Sequence, residues 1–107
     1  MNKITGFVTR IDSEVVVIAE AMEAAIKLSN MGLLGGSEQH SYFVSPIRDQ
    51  EKYVLIEKLR DEGFAFSGGS GWSPSEIVEY ERGQGHVSGN FLRISWQSEK
   101  SYTVTSF

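Results

Sequence analysis

The side chains best suited to chemistry here are two histidines, a cluster of serines and a run of carboxylates. His40 and His86 fall in expected loop or strand-edge positions. An imidazole acts as a general base when a carboxylate orients it, and binds zinc when a second ligand stands about four residues away on a helix. Neither histidine has such a neighbour in sequence, so no metal site is expected. Pairing with a carboxylate that the fold brings from elsewhere stays open. Ser67, Ser70, Ser73 and Ser75 crowd one short stretch. None lies in Gly-x-Ser-x-Gly, the pattern that lifts a serine nucleophile onto a strand-to-helix elbow. They read as turn and capping residues, and no catalytic residue is assigned.

Gly68-Gly69-Ser70-Gly71 lies between an expected strand and an expected helix. Such loops can cradle phosphates with backbone N–H groups at a helix start. Here no Gly-Lys-Ser/Thr follows, and Pro74 stands where a dinucleotide fingerprint ends in glycine. Pro74 also removes a donor, and Glu76 adds negative charge at the same helix end. A flexible turn is the plain reading, a mobile recognition loop the sharper one, and no cofactor is expected. Glu76, Glu79 and Glu81 crowd the third helix, and Asp61-Glu62 closes the second. Glu76 and Glu79 share a helix face. Carboxylates so placed can form a solvated face, dock a cationic partner, or do acid/base work. Trp72 can staple onto Ile77 or meet a partner. Trp96, between Leu92 and the strand end, is expected in the core. The candidate partner-binding set is therefore Trp72, Glu76, Glu79, Glu81, Asp61 and Glu62.

The elements that must hold these residues follow from pattern. Ile4 to Arg10 alternates as a strand. Asp12-Ser13 can cap a helix over 13–31 whose inner face is Val15, Ile18, Met22, Ala25, Ile26 and Ser29. Val15-Val16-Val17-Ile18 is also β-branched throughout, so a hairpin with a helix starting near Ala19 is the alternative. Ser41 to Ser45 reads as a strand. Asp49 is expected to cap a helix over 49–62 that packs Tyr53, Ile56 and Leu59 inward. Gly63, with Leu59 before it and Phe64 after, has the spacing of a Schellman helix end. A strand over 64–67 follows. Ser73-Pro74-Ser75-Glu76 predicts a capping box and a helix to about Arg82. Strands over 90–97 and 102–107 form an expected antiparallel hairpin. The sum is one α+β domain over 1–107: a mixed or antiparallel sheet of four to five strands with about three helices.

Composition bounds the partner. The chain has 107 residues, 40% of them hydrophobic, which suffices for one core. It has no cysteine, which excludes disulfides and thiolate sites. The formal charge is −4, and the pI is about 5.1; a nucleic-acid surface normally needs the opposite sign. The longest aliphatic run, Val15 to Ala19, is far short of a membrane span. A soluble cytoplasmic protein is expected.

From Leu59 to Trp96 the chain reads LRDEGFAFSGGSGWSPSEIVEYERGQGHVSGNFLRISW. This stretch resembles small bacterial immunity proteins of polymorphic-toxin and contact-dependent growth inhibition systems. The similarity lies in the helix–Gly–aromatic strand, the Gly-Trp-Ser-Pro-Ser-Glu cap and the Ser-Gly-Asn-Phe-Leu-Arg-Ile-Ser-Trp strand. It implies a cytoplasmic antidote that binds one cognate toxin and occludes its active site, and many such toxins are nucleases with basic clefts. Two alternatives stay open: a small enzyme using loop His, Ser or Glu residues, and a phage-encoded inhibitor of a host defence protein.

Overall fold

The computed structural model describes residues 5–12, 14–35, 41–44, 48–68, 73–98 and 101–107. The chain opens as a hairpin. β1 (Gly6–Ile11) and β2 (Val15–Ala19) pair antiparallel, with Val8 opposite Val17 and Ile11 opposite Val15. The expected helix over 13–31 is thus a strand followed by a shorter helix, α1 (Met22–Asn30). Two causes decide this. Side chains branched at Cβ lose χ1 freedom in a helix but pack well on a pleated surface. At the turn, the Glu14 N–H donates to Asp12 Oδ1 at 2.9 Å and the Asp12 N–H to the Glu14 carbonyl at 3.0 Å. Asp12 therefore closes an Asx turn and caps no helix. The inner face of α1 shifts accordingly. Ala24 and Leu28 are buried, whereas Met22 and Ile26, expected in the core, are 80% and 55% exposed.

After α1 come β3 (Leu34–Gly35), β4 (Ser41–Val44), α2 (Asp49–Asp61), β5 (Phe64–Ser67), α3 (Pro74–Gly83), β6 (Leu92–Ser98) and β7 (Ser101–Ser106). The sheet order is β3-β4-β2-β1-β5-β6-β7. β5 is parallel to both β1 and β6, and every other neighbouring pair is antiparallel. The mixed α+β architecture is as expected, but the described residues hold seven strands, not four to five. The additions are β2, hidden in a segment read as helix, and the two-residue β3.

Topology places all three helices on one side. The crossovers β4-α2-β5 and β5-α3-β6 step the same way along the sheet between parallel strands. β2-α1-β3 steps the other way between two strands that run parallel to each other and opposite to β4, β5 and β6. Right-handed connections then put every helix on the same face. The core agrees: Ala24 and Leu28, Leu55, Ile56 and Leu59, and Ile77 and Val78 share one cluster with Val8, Val15, Val17, Phe64 and Phe66. A bulge at Thr9, where the pairing shifts between Val8 and Arg10, lets Val8 and Ile11 both face this core.

Two glycines are required by this packing. At Gly6 a Cβ would stand 2.3 Å from the Ile18 carbonyl oxygen and 2.8 Å from the Phe64 ring. Gly63 has φ +89° and ends α2 as expected: its N–H donates to the Arg60 carbonyl at 3.0 Å, and Leu59 and Phe64 on either side are fully buried. The helix starts differ from expectation. Asp49 is the first helical residue and Arg48 holds the cap position, with no side-chain cap. Ser73 does occupy the cap position of α3, with Pro74 next, but its hydroxyl donates to the Glu76 carboxylate, not to the backbone. Those two side chains satisfy each other, so the capping box is present in residue type only.

Candidate interaction site

The carboxylates expected to form a docking face are each engaged, and they diverge. Glu79 accepts from Arg93 Nη2 on β6. Arg93 in turn donates from Nε to Ser75 Oγ at 3.2 Å and stacks its guanidinium 4.6 Å from the Phe107 ring centroid. Glu76 is held by Ser73. Asp61 pairs with Arg60 at 2.9 Å and Glu62 with Lys27 at 3.0 Å. Asp61 and Glu62 line a shallow groove of about 300 Å³ with Asn30, Met31 and Lys58. Trp72 lies outside the described residues, as does His40.

Glu81 departs most from expectation. Two residues after Glu79 on a helix it points roughly the opposite way, and it is 8% exposed, so it does not contribute to an acidic surface. Its Oε1 lies 3.0 Å from His86 Nδ1, and the Tyr53 hydroxyl also bonds to it. With the carboxylate accepting, His86 donates from Nδ1, which leaves Nε2 as the acceptor nitrogen of the ring. The imidazole stacks on the Tyr53 ring, with centroids 4.5 Å apart and planes 12° apart. The Tyr53 phenol is pushed above its ordinary value, first by desolvation against the neighbouring elements, then by the bond to Glu81, then by the charges of Glu81 and Asp49. The cluster is assembled by the α3 end: Gly85 turns the chain at φ +82°, and the His86 N–H donates back to the Glu81 carbonyl at 2.9 Å. Beyond it, the Ser88 N–H donates to Glu57 and Arg60 donates to the Ser88 carbonyl, tying the loop to α2. Sequence spacing of five residues gives no hint of this dyad, because the contact depends on a non-helical turn.

The sheet face away from the helices carries a second apolar group. The pairings Phe7↔Ala65, Ala65↔Leu92, Ile94↔Val104 and Trp96↔Tyr102 put these side chains on one side. Ala65 and Ile94 are fully buried there, packed by Phe7, Leu92, Tyr102 and Val104. The Trp96 ring meets Phe7 at 5.4 Å and Tyr102 at 5.0 Å, both edge-on. β1 and β6 are two strand spacings apart, about 9–10 Å, so Phe7 and Trp96 lean toward each other over β5. Trp96, expected in the core, is instead 43% exposed at the margin of this group. The signal was available in sequence: Leu92, Ile94, Trp96, Tyr102 and Val104 share one parity of the β6–β7 hairpin.

No family model matches the chain, and no curated protein or solved structure matches it either. Among the described residues no helix is long and apolar enough to cross a membrane.

Proposed function

We propose that this chain is an immunity-type binding protein of the cytoplasm that neutralises a cognate toxin by covering its active cleft, and that it docks through the helix-free face of the sheet. The observation that carries this reading is the Phe7–Trp96–Tyr102 group, with a tryptophan 43% exposed on β6. Trp and Tyr held by neighbours lose little conformational freedom on binding and dominate interface energetics when their surroundings exclude water. The net charge of −4 supplies attraction toward a basic partner surface and acts mainly on association rate. Glu76, Glu79, Asp61 and Glu62, on the helix side, contribute to that field. The test is co-expression with the product of the reading frame directly upstream, and calorimetry on the purified pair. Trp96→Ala should weaken binding about 30-fold or more, the scale of an interface hot spot, with the circular dichroism spectrum unchanged. Equal affinity for both forms would move the docking surface elsewhere.

A second reading, a small hydrolytic or acid/base enzyme, is favoured by the Glu81–His86 pair. A buried carboxylate on Nδ1, with Nε2 left as the acceptor nitrogen, is an arrangement suited to a general base. Loss of protection in a folded His86→Ala variant would favour it over docking. A phage-encoded inhibitor would bind a host defence protein in place of the upstream product.

A further inference from the structure

We infer that the outer edge of β7 pairs antiparallel with β7 of a second copy, making a symmetric dimer with one continuous sheet. The hydrogen-bond phase of β7 fixes which groups are free. Phe91 and Phe107 exchange both backbone bonds, at 3.0 and 2.9 Å. In an antiparallel ladder bonded and non-bonded pairs alternate. With the pairing Leu92↔Ser106 through Trp96↔Tyr102, Thr105 and Thr103 therefore bond inward to β6. Ser106, Val104 and Tyr102 turn their N–H and C=O groups away from it. The Gly68 N–H confirms the phase from the other side, since it takes the Ile94 carbonyl at 2.9 Å; Ile94, opposite Val104, points its groups toward β5. β7 stands at the end of the sheet order, so among the described residues those six backbone groups have no partner.

The strand lacks the devices that usually protect such an edge. From Ser101 to Phe107 there is no charged residue and no proline, and the irregularity of the hairpin falls on Gln97 of β6, leaving β7 regular. The requirement on an occupant is an extended strand, uncharged, with apolar residues alternating with small polar ones. Ser101-Tyr102-Thr103-Val104-Thr105-Ser106 itself meets that requirement. With a two-fold axis at Val104, Val104 faces its own copy, Tyr102 faces Ser106 of the second copy, and Thr103 and Thr105 exchange places. The net charge of −4 would keep copies apart elsewhere, but none of it lies on this strand. An isologous contact consumes both copies of β7 and closes at two along this edge. Tyr102 and Val104 face the helix-free side, so the two aromatic groups would join into one surface.

The test uses the full chain in sedimentation velocity from about 1 to about 500 µM, a range that spans weak to moderate association, with amide hydrogen exchange at both ends of the range. A concentration-dependent monomer–dimer equilibrium is expected. The Tyr102, Val104 and Ser106 amides should exchange about tenfold more slowly at the high end, as a tenfold change in equilibrium population requires, while Thr103 and Thr105 hold constant. Val104→Pro removes an outward N–H and no bond to β6, and should be monomeric throughout. A monomer at every concentration, assemblies beyond a dimer, or a dimer whose β7 amides show no change would each overturn the inference. The exchange readout needs no variant, so a misfolded Val104→Pro protein leaves the test intact. Failure here would leave docking through the Trp96 face standing, because that surface exists on one copy.

Discussion

Replacing Leu28 by Ala distinguishes a hairpin followed by a short helix from one continuous helix over 13–31. In the folded chain Leu28 is fully buried and Ile26, two residues earlier, is 55% exposed. The continuous helix would instead bury Ile26. Leu28→Ala removes three carbons, which forfeits about 2.4 kcal/mol at about 0.8 kcal/mol per buried methylene. If about 60 Å³ stays empty, a cavity cost of about 24 cal/mol per Å³ adds about 1.4 kcal/mol. The sum is about 3–4 kcal/mol, large beside the roughly 5–15 kcal/mol that holds a domain together. Ile26→Ala loses at most half of its transfer term and gains some helix propensity, so it should cost under about 1 kcal/mol. In urea, with a slope of about 1–1.5 kcal/mol/M for a domain of this size, the midpoint should fall by about 2–4 M for Leu28→Ala and by under about 1 M for Ile26→Ala. Equal shifts, or the reverse order with unchanged slopes, would refute the register of α1 and with it the β1–β2 hairpin.

Ser73→Ala should lower stability by less than about 0.5 kcal/mol, below the ordinary loss of a helix cap, because the hydroxyl binds Glu76 and not the backbone; a shift of 1 kcal/mol or more in the same titration, by that scale, would restore the capping box. Glu81→Ala should cost about 1–3 kcal/mol through the loss of the His86 and Tyr53 bonds, with Glu81→Gln retaining most of it; equal losses in both variants would assign the effect to charge alone. Tyr53 has a folded pKa above that of the unfolded chain, so its contribution is complete below pH about 10 and is lost as pH rises from there through the folded value. Unfolding free energy should therefore fall more steeply above that pH for the parent than for Tyr53→Phe, and parallel curves from urea titrations across pH 8–12, spanning the tyrosine range, would contradict it.

How much could be read from the residues depended on whether the deciding interaction was local. The ends of α2 and α3 were legible because glycine at a helix end and proline at a first helical position act within a few residues. The hairpin β6–β7 was legible because its alternation repeats on both strands. Val15 to Ile18 was not, since its pattern satisfies a helical face and its branching satisfies a strand; pairing with β1 and β4 decides the matter, and pairing is non-local. The carboxylates failed as a set for a related reason. Helical spacing says which share a face, but only the fold says what meets them: Arg93 for Glu79, and Tyr53 with His86 for Glu81. Trp96 was misplaced because mid-strand aromatics are assigned to a core without knowing that one face of the sheet has no helices.

That last point connects topology to the proposed role. Three crossovers of one hand leave the sheet with a single covered face, so any apolar residue on the other parity must be shielded by side chains alone. Phe7, Leu92, Tyr102 and Val104 pack on Ala65 and Ile94 and bury both completely, and Phe7 also meets the Trp96 ring edge-on. The shielding stops at the hairpin margin. Trp96 has Tyr102 on one side and Phe7 on the other, yet nearly half of it still meets solvent. A polar residue there would be less costly for a sheet face with no further partner. A large aromatic retained at the open margin, braced by two others and beside a strand whose edge is unprotected, places exposed aromatic area and outward-facing backbone donors side by side. The proposed docking and the proposed pairing would thus use one region, and Trp96→Ala and Val104→Pro separate them, since the first removes ring area without touching a backbone bond and the second removes a backbone donor without touching the ring.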